Sequence, residues 1–453
     1  MPTGAKDFTH GAIFSPLVRL AMPIMATSFV QMAYNLTDMA WVGRLGSESV
    51  AAIGAVAMVM WLNSSFAMLS KVAAEVSIGQ ALGAGKEREA TACASHTTTI
   101  SLLLALVLAV VLHFGADFIL SFFKLAPQIQ VLAVNYLHIV STAVPFAFLI
   151  TNFTGIYNGT GRSNIPFLFV SSGLVFNMLL DPLFIFGVKG VFAGMGVIGA
   201  AIATWISQGM VLLMLVFRLR RNDGILGRFP FFVRLRGNFT IRVLRLGFPV
   251  AMMTLFFASI NTYLARIASI YGGHLGITTQ TTGGQIEAVT WSTSQGFSTA
   301  LSAFVAQNFG AGKINRARMA YRYTLMVMLS LGVLVSASFL FFGVEIFGVI
   351  IPEIDAARAG GDYLWVMGFS QIFMMLELTT QGMFNGMGRT LPPAVVSITF
   401  NFARIPLALL FASWMGITGV WWAISVSSII KGIILPVWLR RRSTLRRIPN
   451  EVQ

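Results

Sequence analysis

Long apolar runs alternate along this chain with short stretches rich in Gly, Pro, Asn and charged residues. Twelve runs are legible, near residues 16–42, 50–81, 93–114, 131–153, 165–186, 192–217, 243–269, 279–308, 319–343, 362–384, 391–413 and 416–439. Each is about 20 residues or longer, enough for an α-helix to cross the hydrocarbon core of a bilayer. Gly and Thr dilute the second and eighth runs, so those boundaries are the softest.

The runs repeat. Gln80-Ala-Leu-Gly83-Ala-Gly85-Lys86 returns 227 positions later as Gln307-Asn-Phe-Gly310-Ala-Gly312-Lys313. Gly155-Ile-Tyr-Asn158-Gly159-Thr-Gly161-Arg162 returns at the same offset of 227 as Gly382-Met-Phe-Asn385-Gly386-Met-Gly388-Arg389. Arg19-Leu-Ala-Met-Pro23 returns 226 later as Arg245-Leu-Gly-Phe-Pro249. Three matches in one order at nearly one offset predict a duplicated frame, an arrangement typical of carriers with a pseudo-two-fold axis. The fold class is therefore an all-α integral membrane protein, with twelve transmembrane helices in two six-helix bundles related by pseudo-two-fold symmetry. The expected divisions are 1–217 for the first bundle, 218–242 for a linker, 243–440 for the second bundle and 441–453 for a basic tail.

Composition strengthens that picture. The 453 residues are 56% hydrophobic and 10% charged, against about 25% charged in soluble domains. The net charge of +15 invites a nucleic-acid reading, but the basic residues sort by topology instead. One set of helix ends carries Lys6, Arg19, Lys86, Arg88, Arg162, the Arg218–Arg245 cluster, Lys313, Arg316, Arg318, Arg322, Arg389 and the stretch from Lys431 to Arg447. The other carries only Arg44, Lys124, Lys189, Arg266 and Arg358. By the positive-inside rule, both termini of this multi-pass chain face the cytoplasm, in an inner or plasma membrane. The tail Arg440-Arg-Arg-Ser-Thr-Leu-Arg-Arg447 then reads as a lipid-headgroup anchor, with no nucleic-acid partner. Cys93 is the single cysteine, so no intramolecular disulfide forms. Met1 to Pro16 is polar and leads into a full span, so no cleavable signal peptide is expected.

An ionisable side chain within hydrocarbon costs several kcal/mol, roughly 3 or more, so each one inside a span is a functional candidate. The acidic residues inside spans are Asp38, Glu75, Asp181, Glu287 and Glu377; Lys71 and Arg404 are the basic ones. Helical rise places Asp38 roughly 33 Å above Pro16 and Asp181 roughly 28 Å above Arg162, at comparable heights in the first bundle. Gln31, Tyr34 and Asp38 share one helical face, with Asn35 beside it, and Asn177 and Asp181 share another. If those faces meet, two carboxylates share a pocket with a phenol and carboxamides. Burial and a like-charged neighbour both penalise the doubly ionised state, so the pocket suits an exchangeable proton. Its oxygen ligands also suit a hard cation such as Na+. The alternative is two separate aspartates, each bonded to backbone at a kink such as Asp181-Pro182.

The second half does not copy this pocket: Leu264 stands opposite Asp38, and Asn401-Phe-Ala-Arg404-Ile-Pro406 stands opposite Asn177-Met-Leu-Leu-Asp181-Pro182. Glu287, Glu377 and Arg404 are left as candidates for a second coupling site, a substrate contact or structural partners. Lys71 and Glu75, at i and i+4, are placed to neutralise each other. The repeated Gly-Ala-Gly-Lys and Asn-Gly-x-Gly-Arg segments read as helix caps and turns rather than phosphate loops, because no strand precedes them. Pro23 and Pro249 lie well inside their spans and are expected to kink them. Met22, Met25, Met32, Met252 and Met253, with Phe256 and Phe257, suit an adaptable apolar cavity.

Taken with the twelve spans, these motifs resemble the multidrug and toxic compound extrusion (MATE) transporters over essentially the whole chain. The Asp/Asn/Asp pattern is similar to the prokaryotic DNA-damage-inducible-F-like branch. The resemblance implies that Asp38, Tyr34, Asn177 and Asp181 form an N-lobe cation pocket, with Thr204 as its sixth-helix threonine and Pro23 as the bending proline. Gln285-Ile-Glu287 resembles the C-lobe acidic motif of other branches. The implied activity is antiport of H+ or Na+ against amphipathic, often cationic compounds by a monomer, without a cofactor. A lipid or lipid-linked oligosaccharide flippase is the alternative, but it needs a cation-lined cavity. No metal motif or nucleophile–base arrangement points to an enzyme.

Overall fold

A computed structural model of the chain describes residues 5–188, 190, 192–222, 227 and 229–441. The expected tail beyond Arg441 lies outside the described residues, as do Lys189 and parts of the linker. Among the described residues, ten helices are long and apolar enough to cross a membrane. They are α1 (Phe14–Gly43), α2 (Ser47–Gly83), α3 (Glu87–Phe114), α5 (Pro127–Gly159), α6 (Asn164–Phe186), α7 (Val197–Asn222), α8 (Gly237–Gly310), α9 (Ile314–Ile350), α11 (Leu391–Met415) and α12 (Ile417–Arg440). The 74-residue α8 is two spans, divided by a bend at Gly273. The 33-residue α10 (Ile354–Gly386) makes the twelfth, and a short α4 (Ala116–Ser121) follows α3.

Small residues are numerous in the interior, among larger ones such as Phe148 and Leu137, and many large apolar side chains lie on the exterior. Ala52, Ala55, Ala67, Ala105, Ala133, Ala200 and Ala201 sit in one buried cluster, while Leu36, Val107, Phe118, Leu213 and Val349 are exposed. That inversion suits lipid, where close van der Waals packing of small side chains holds helices together. The sixth span departs from expectation at its start. Residues 192–193 are a two-residue strand paired antiparallel with Gly187–Val188, and the helix begins at Val197. Gly187 and Gly196, with φ of +76° and +55°, take backbone conformations that a continued helix excludes.

The repeated motifs are helix stops. After α2, Lys86 N–H reaches back to the Ala81 carbonyl at 2.9 Å; after α8, Lys313 N–H reaches Asn308 at 2.8 Å. The other pair closes α5 through Arg162 N–H to Tyr157 and α10 through Arg389 N–H to Phe384, both at 2.9 Å. Gly85, Gly312, Gly161 and Gly388 each stand at φ between +71° and +76° in these caps, a region that favours glycine.

Among the described residues the chain divides into two compact units. The first comprises the described residues of Met1–His10, Arg19–Ala251 and Gly310–Gly312; the second comprises those of Gly11–Val18, Met252–Phe309 and Lys313–Gln453. In the first, α5 packs against α2, α3 and α7, and α6 packs on α7. Residues 229–236 follow the surface of α3: Thr99 Oγ1 donates to the Phe231 carbonyl at 3.2 Å and accepts from Val233 N–H at 3.1 Å. In the second unit, α10 packs against α9 and α12, and α11 packs on α12.

Candidate functional site

Inside the first unit, four helices bring six polar side chains together. α1 supplies Tyr34 and Asp38, α6 supplies Asn177 and Asp181 one turn apart, α5 supplies Tyr136 and α7 supplies Thr204. Asp181 is 0% exposed and Asn177 3%, while Asp38, Tyr34 and Thr204 are half-buried. The Asp38 and Asp181 carboxyls lie within hydrogen-bonding reach of each other. The Thr204 hydroxyl lies near both phenols, Tyr34 and Tyr136.

The chemistry of the pair follows from donors and acceptors. Ionised carboxylates only accept, so two of them facing each other leave both unsatisfied. Both oxygens of Asp181 are buried without a hydrogen-bond partner. Both side-chain polar atoms of Asn177 are equally without one. The alternative in which Asp181 is bonded to backbone at the Pro182 kink is therefore not what the structure has. A proton on either carboxyl turns the pair into donor and acceptor, and a hard cation engages the same oxygens. A buried unsatisfied polar group costs about 1–3 kcal/mol, more if charged.

Around it, Gln31 Nε2 donates to Asn35 Oδ1 at 3.1 Å along α1. Trp41, near the end of α1, meets Phe186, at the end of α6, edge-on at 6.2 Å. α1 is helical through Pro23, and the Thr27 hydroxyl donates to the Pro23 carbonyl at 2.9 Å. Sequence reasoning did not single out Tyr136. Its signal was a phenol alone within an apolar span.

The second unit holds its charges differently. The Glu287 carboxylate accepts from the Tyr363 phenol and, at 3.2 Å, from Gln371 Nε2; Thr290 Oγ1 donates to Gln371 Oε1 at 3.0 Å. Arg404 donates from Nε to Ser427 at 2.6 Å and from Nη2 to Ser428 at 3.0 Å, within the electrostatic field of Glu377 and Glu287. Glu377 forms an ion pair with Lys431 at 3.1 Å. Lys431 corrects the expectation that Lys71 and Arg404 are the only cations inside spans. It was grouped with the basic C-terminal stretch, yet it lies within α12 and is 4% exposed. Its signal was a lysine flanked by Ile429-Ile430 and Ile433-Ile434. Tyr363 and Gln371 were also missed.

A duplicated twelve-helix membrane protein that buries ionisable groups inside its bundles belongs to the class of membrane transporters. Residues 23–183 and 249–410 match the family described as MatE, one match in each half, and the chain belongs to this family of multidrug and toxic compound extrusion transporters. It is 27% identical over 98% of its length to a probable multidrug resistance protein, YoeA, of Bacillus subtilis, covering 98% of that relative. It is 24% identical to a FAD transporter of Shewanella oneidensis, over 94% of each chain. A solved structure of MATE in the bent conformation aligns with a TM-score of 0.90 at 23% identity, over 97% of both chains. One in the straight conformation aligns at 0.89 and 24%, over 98% of this chain and 99% of that one. These two likenesses establish the fold.

Proposed function

We propose that this protein is a secondary antiporter exporting amphipathic, often cationic small molecules in exchange for H+ or Na+. The observation that carries this reading is the buried Asp181 carboxyl, without a partner for either oxygen, within reach of Asp38. Ion arrival satisfies the pair, and ion loss restores repulsion between two carboxylates in a site sheltered from water. Tyr34, Asn177 and Thr204 complete the pocket; for Na+, the ligands come from Asp38, Asn177 and Asp181.

α1 connects this event to motion. Pro23 has no N–H to donate, so the helix is one hydrogen bond short below Asp38, and bending there alters the cavity of the first lobe. The straight and bent conformations named for related structures support such a step. Residues 1–217 and 243–440 act as the two lobes, joined through 218–242, in an inner or plasma membrane with both termini cytoplasmic. Glu287, Glu377 and Arg404 supply a second coupling site or a substrate contact in the second lobe. The relative named for FAD supports a cargo range wider than cations. A flippase reading gains nothing from the added buried cation, because Lys431 is already paired with Glu377.

The test is transport of a fluorescent cationic dye in proteoliposomes, with pH and Na+ gradients imposed separately. One gradient drives dye movement in the native protein, and Asp38→Asn abolishes it while the protein stays folded. Native-like transport by Asp38→Asn rejects the coupling assignment. Dye movement with neither gradient rejects antiport.

A further inference from the structure

Lys71 and Glu75 stand one turn apart on α2, and the coupling step above uses neither. Glu75 is 4% exposed, and Lys71 lies in its electrostatic field. They sit where α5 crosses α2. A Cβ added at Gly155 would strike the backbone of Lys71, and one at Gly159 would come within 2.6 Å of the Glu75 carbonyl oxygen. The second unit contains the same crossing: Gly382 and Gly386 of α10 meet the backbone of Ser298 and Ser302 of α8. All four positions recur at the offset of 227.

The repeat thus provides an internal control. Two helices approach equally closely with serines at the positions where the first unit has an acid and a base, so the crossing itself needs no charge. A buried carboxylate such as that of Glu75 carries a desolvation penalty that neutral packing avoids, and within a membrane ionisable groups mark ion pathways. The surroundings are polar as well. Ser70 Oγ donates to Ser101 Oγ at 3.2 Å, and Asn152 Nδ2 donates to Thr98 Oγ1 at 2.9 Å. Ser77 Oγ, Asn152 Oδ1 and both side-chain polar atoms of Asn158 are buried without a protein partner, the signature of sites that take water.

Position separates this pair from the aspartates. The Trp41–Phe186 contact shows that Asp38 and Asp181 lie toward one shared end of α1 and α6. Glu75 lies toward the other end of the bundle, about 12 Å along α2 from Gly83 by helical rise.

We propose that Lys71 and Glu75 are the first unit's second ionisable station, through which a proton released from Asp38 and Asp181 passes to the opposite face. The proposal rests on the antiport reading with H+ as the coupling ion. Water delivers the proton to a Glu75 carboxylate oxygen and later takes it away on the far side. Lys71, one turn away, places a positive charge near that carboxylate, and no other bond changes.

The test is the double variant Lys71→Ser with Glu75→Ser, which copies Ser298 and Ser302 into the first crossing. The expected variant inserts, melts within a few degrees of the native protein and binds dye with native affinity. Its turnover driven by a pH gradient falls about 100-fold, the scale of losing a positioned proton carrier. Glu75→Gln reproduces the loss, and Glu75→Asp recovers part of it with a shifted pH profile. Native turnover with an unchanged pH profile in the double variant overturns the proposal. So does a loss explained by misfolding in the double variant and in Glu75→Gln alike, because that result makes the pair structural. Asp38→Asn in parallel separates the two ideas. If it retains coupled transport, the antiport reading fails. If it is inactive while the double variant is native-like, only the second station fails.

Discussion

Removing the Lys431 ammonium leaves Glu377 buried without the ion-pair partner it now has at 3.1 Å. Breaking one side of such a pair costs about 3–5 kcal/mol, whereas neutral replacement of both sides is far better tolerated. Lys431→Met is therefore expected to lower the melting temperature markedly, and adding Glu377→Gln to recover most of it, as read by thermal unfolding of the purified protein. Outside the membrane, Asp7 gives the clearest pH signature. Partial burial acts to raise its pKa, but the hydroxyl and amide of Thr9 and the ring of His10 overcome this and hold it at about 2. A depressed carboxylate stabilises the fold above its unfolded value and loses that contribution as pH falls through the folded one. The Thr9 amide, bonded to Asp7 at 2.7 Å, should lose hydrogen-exchange protection between about pH 4 and about pH 2. Asp7→Asn should show little change over that window. At this scale the neighbouring aspartates were legible because Asp38, Asn177 and Asp181 are conspicuous in apolar spans. Lys431 was not, because the arginines from 440 onward merge with it into one apparent basic stretch.

Helix crossings depend on what is absent. Gly155 and Gly382 each press α-carbon hydrogens against the backbone of a neighbouring helix, where a methyl group has no space. Overpacking of this kind typically costs about 1–3 kcal/mol. Gly155→Ala and Gly382→Ala should each destabilise the protein by that order. Cys93 is a ready reporter, since this single cysteine is buried and a thiol-reactive dye reaches it only on unfolding. Equal labelling temperatures for Gly155→Ala and the native protein would contradict the crossing. The periodic apolar runs revealed the helices themselves, and the caps were legible in the Gly-Ala-Gly-Lys pattern. The crossings were not, because a Gly-x-x-x-Gly spacing at the end of a span is hidden by the turn motif that shares its glycines.

Over the whole molecule, duplication and divergence operate on different parts. Backbone devices recur at one offset: the caps, the left-handed glycines and both crossings. Charges do not. The first unit carries Asp38, Asp181, Glu75 and Lys71 within its spans, an excess of acid, whereas the second balances Glu287 and Glu377 with Arg404 and Lys431. If coupling resides in the acidic unit, Glu287→Gln should retain proton uptake on dye release while Asp181→Asn loses it, as measured by a pH-sensitive fluorophore in lightly buffered liposomes. The sequence located the duplication and the asymmetry of the aspartates, but the balance in the second unit depends on side chains that meet only after folding.

The bend in α8 has a consequence for how the chain is made. Gly273, at φ +58° and ψ −148°, joins two spans with helix on both sides and no connecting loop. That conformation is open essentially to glycine alone. Nascent chain leaving the ribosome therefore offers the membrane-insertion machinery two segments joined by a helical bend rather than an extended loop, so they enter as one hairpin. A gene divided at codon 273 should yield halves that fail to reassemble, whereas division between codons 222 and 237 should yield fragments that insert separately and regain function when co-expressed.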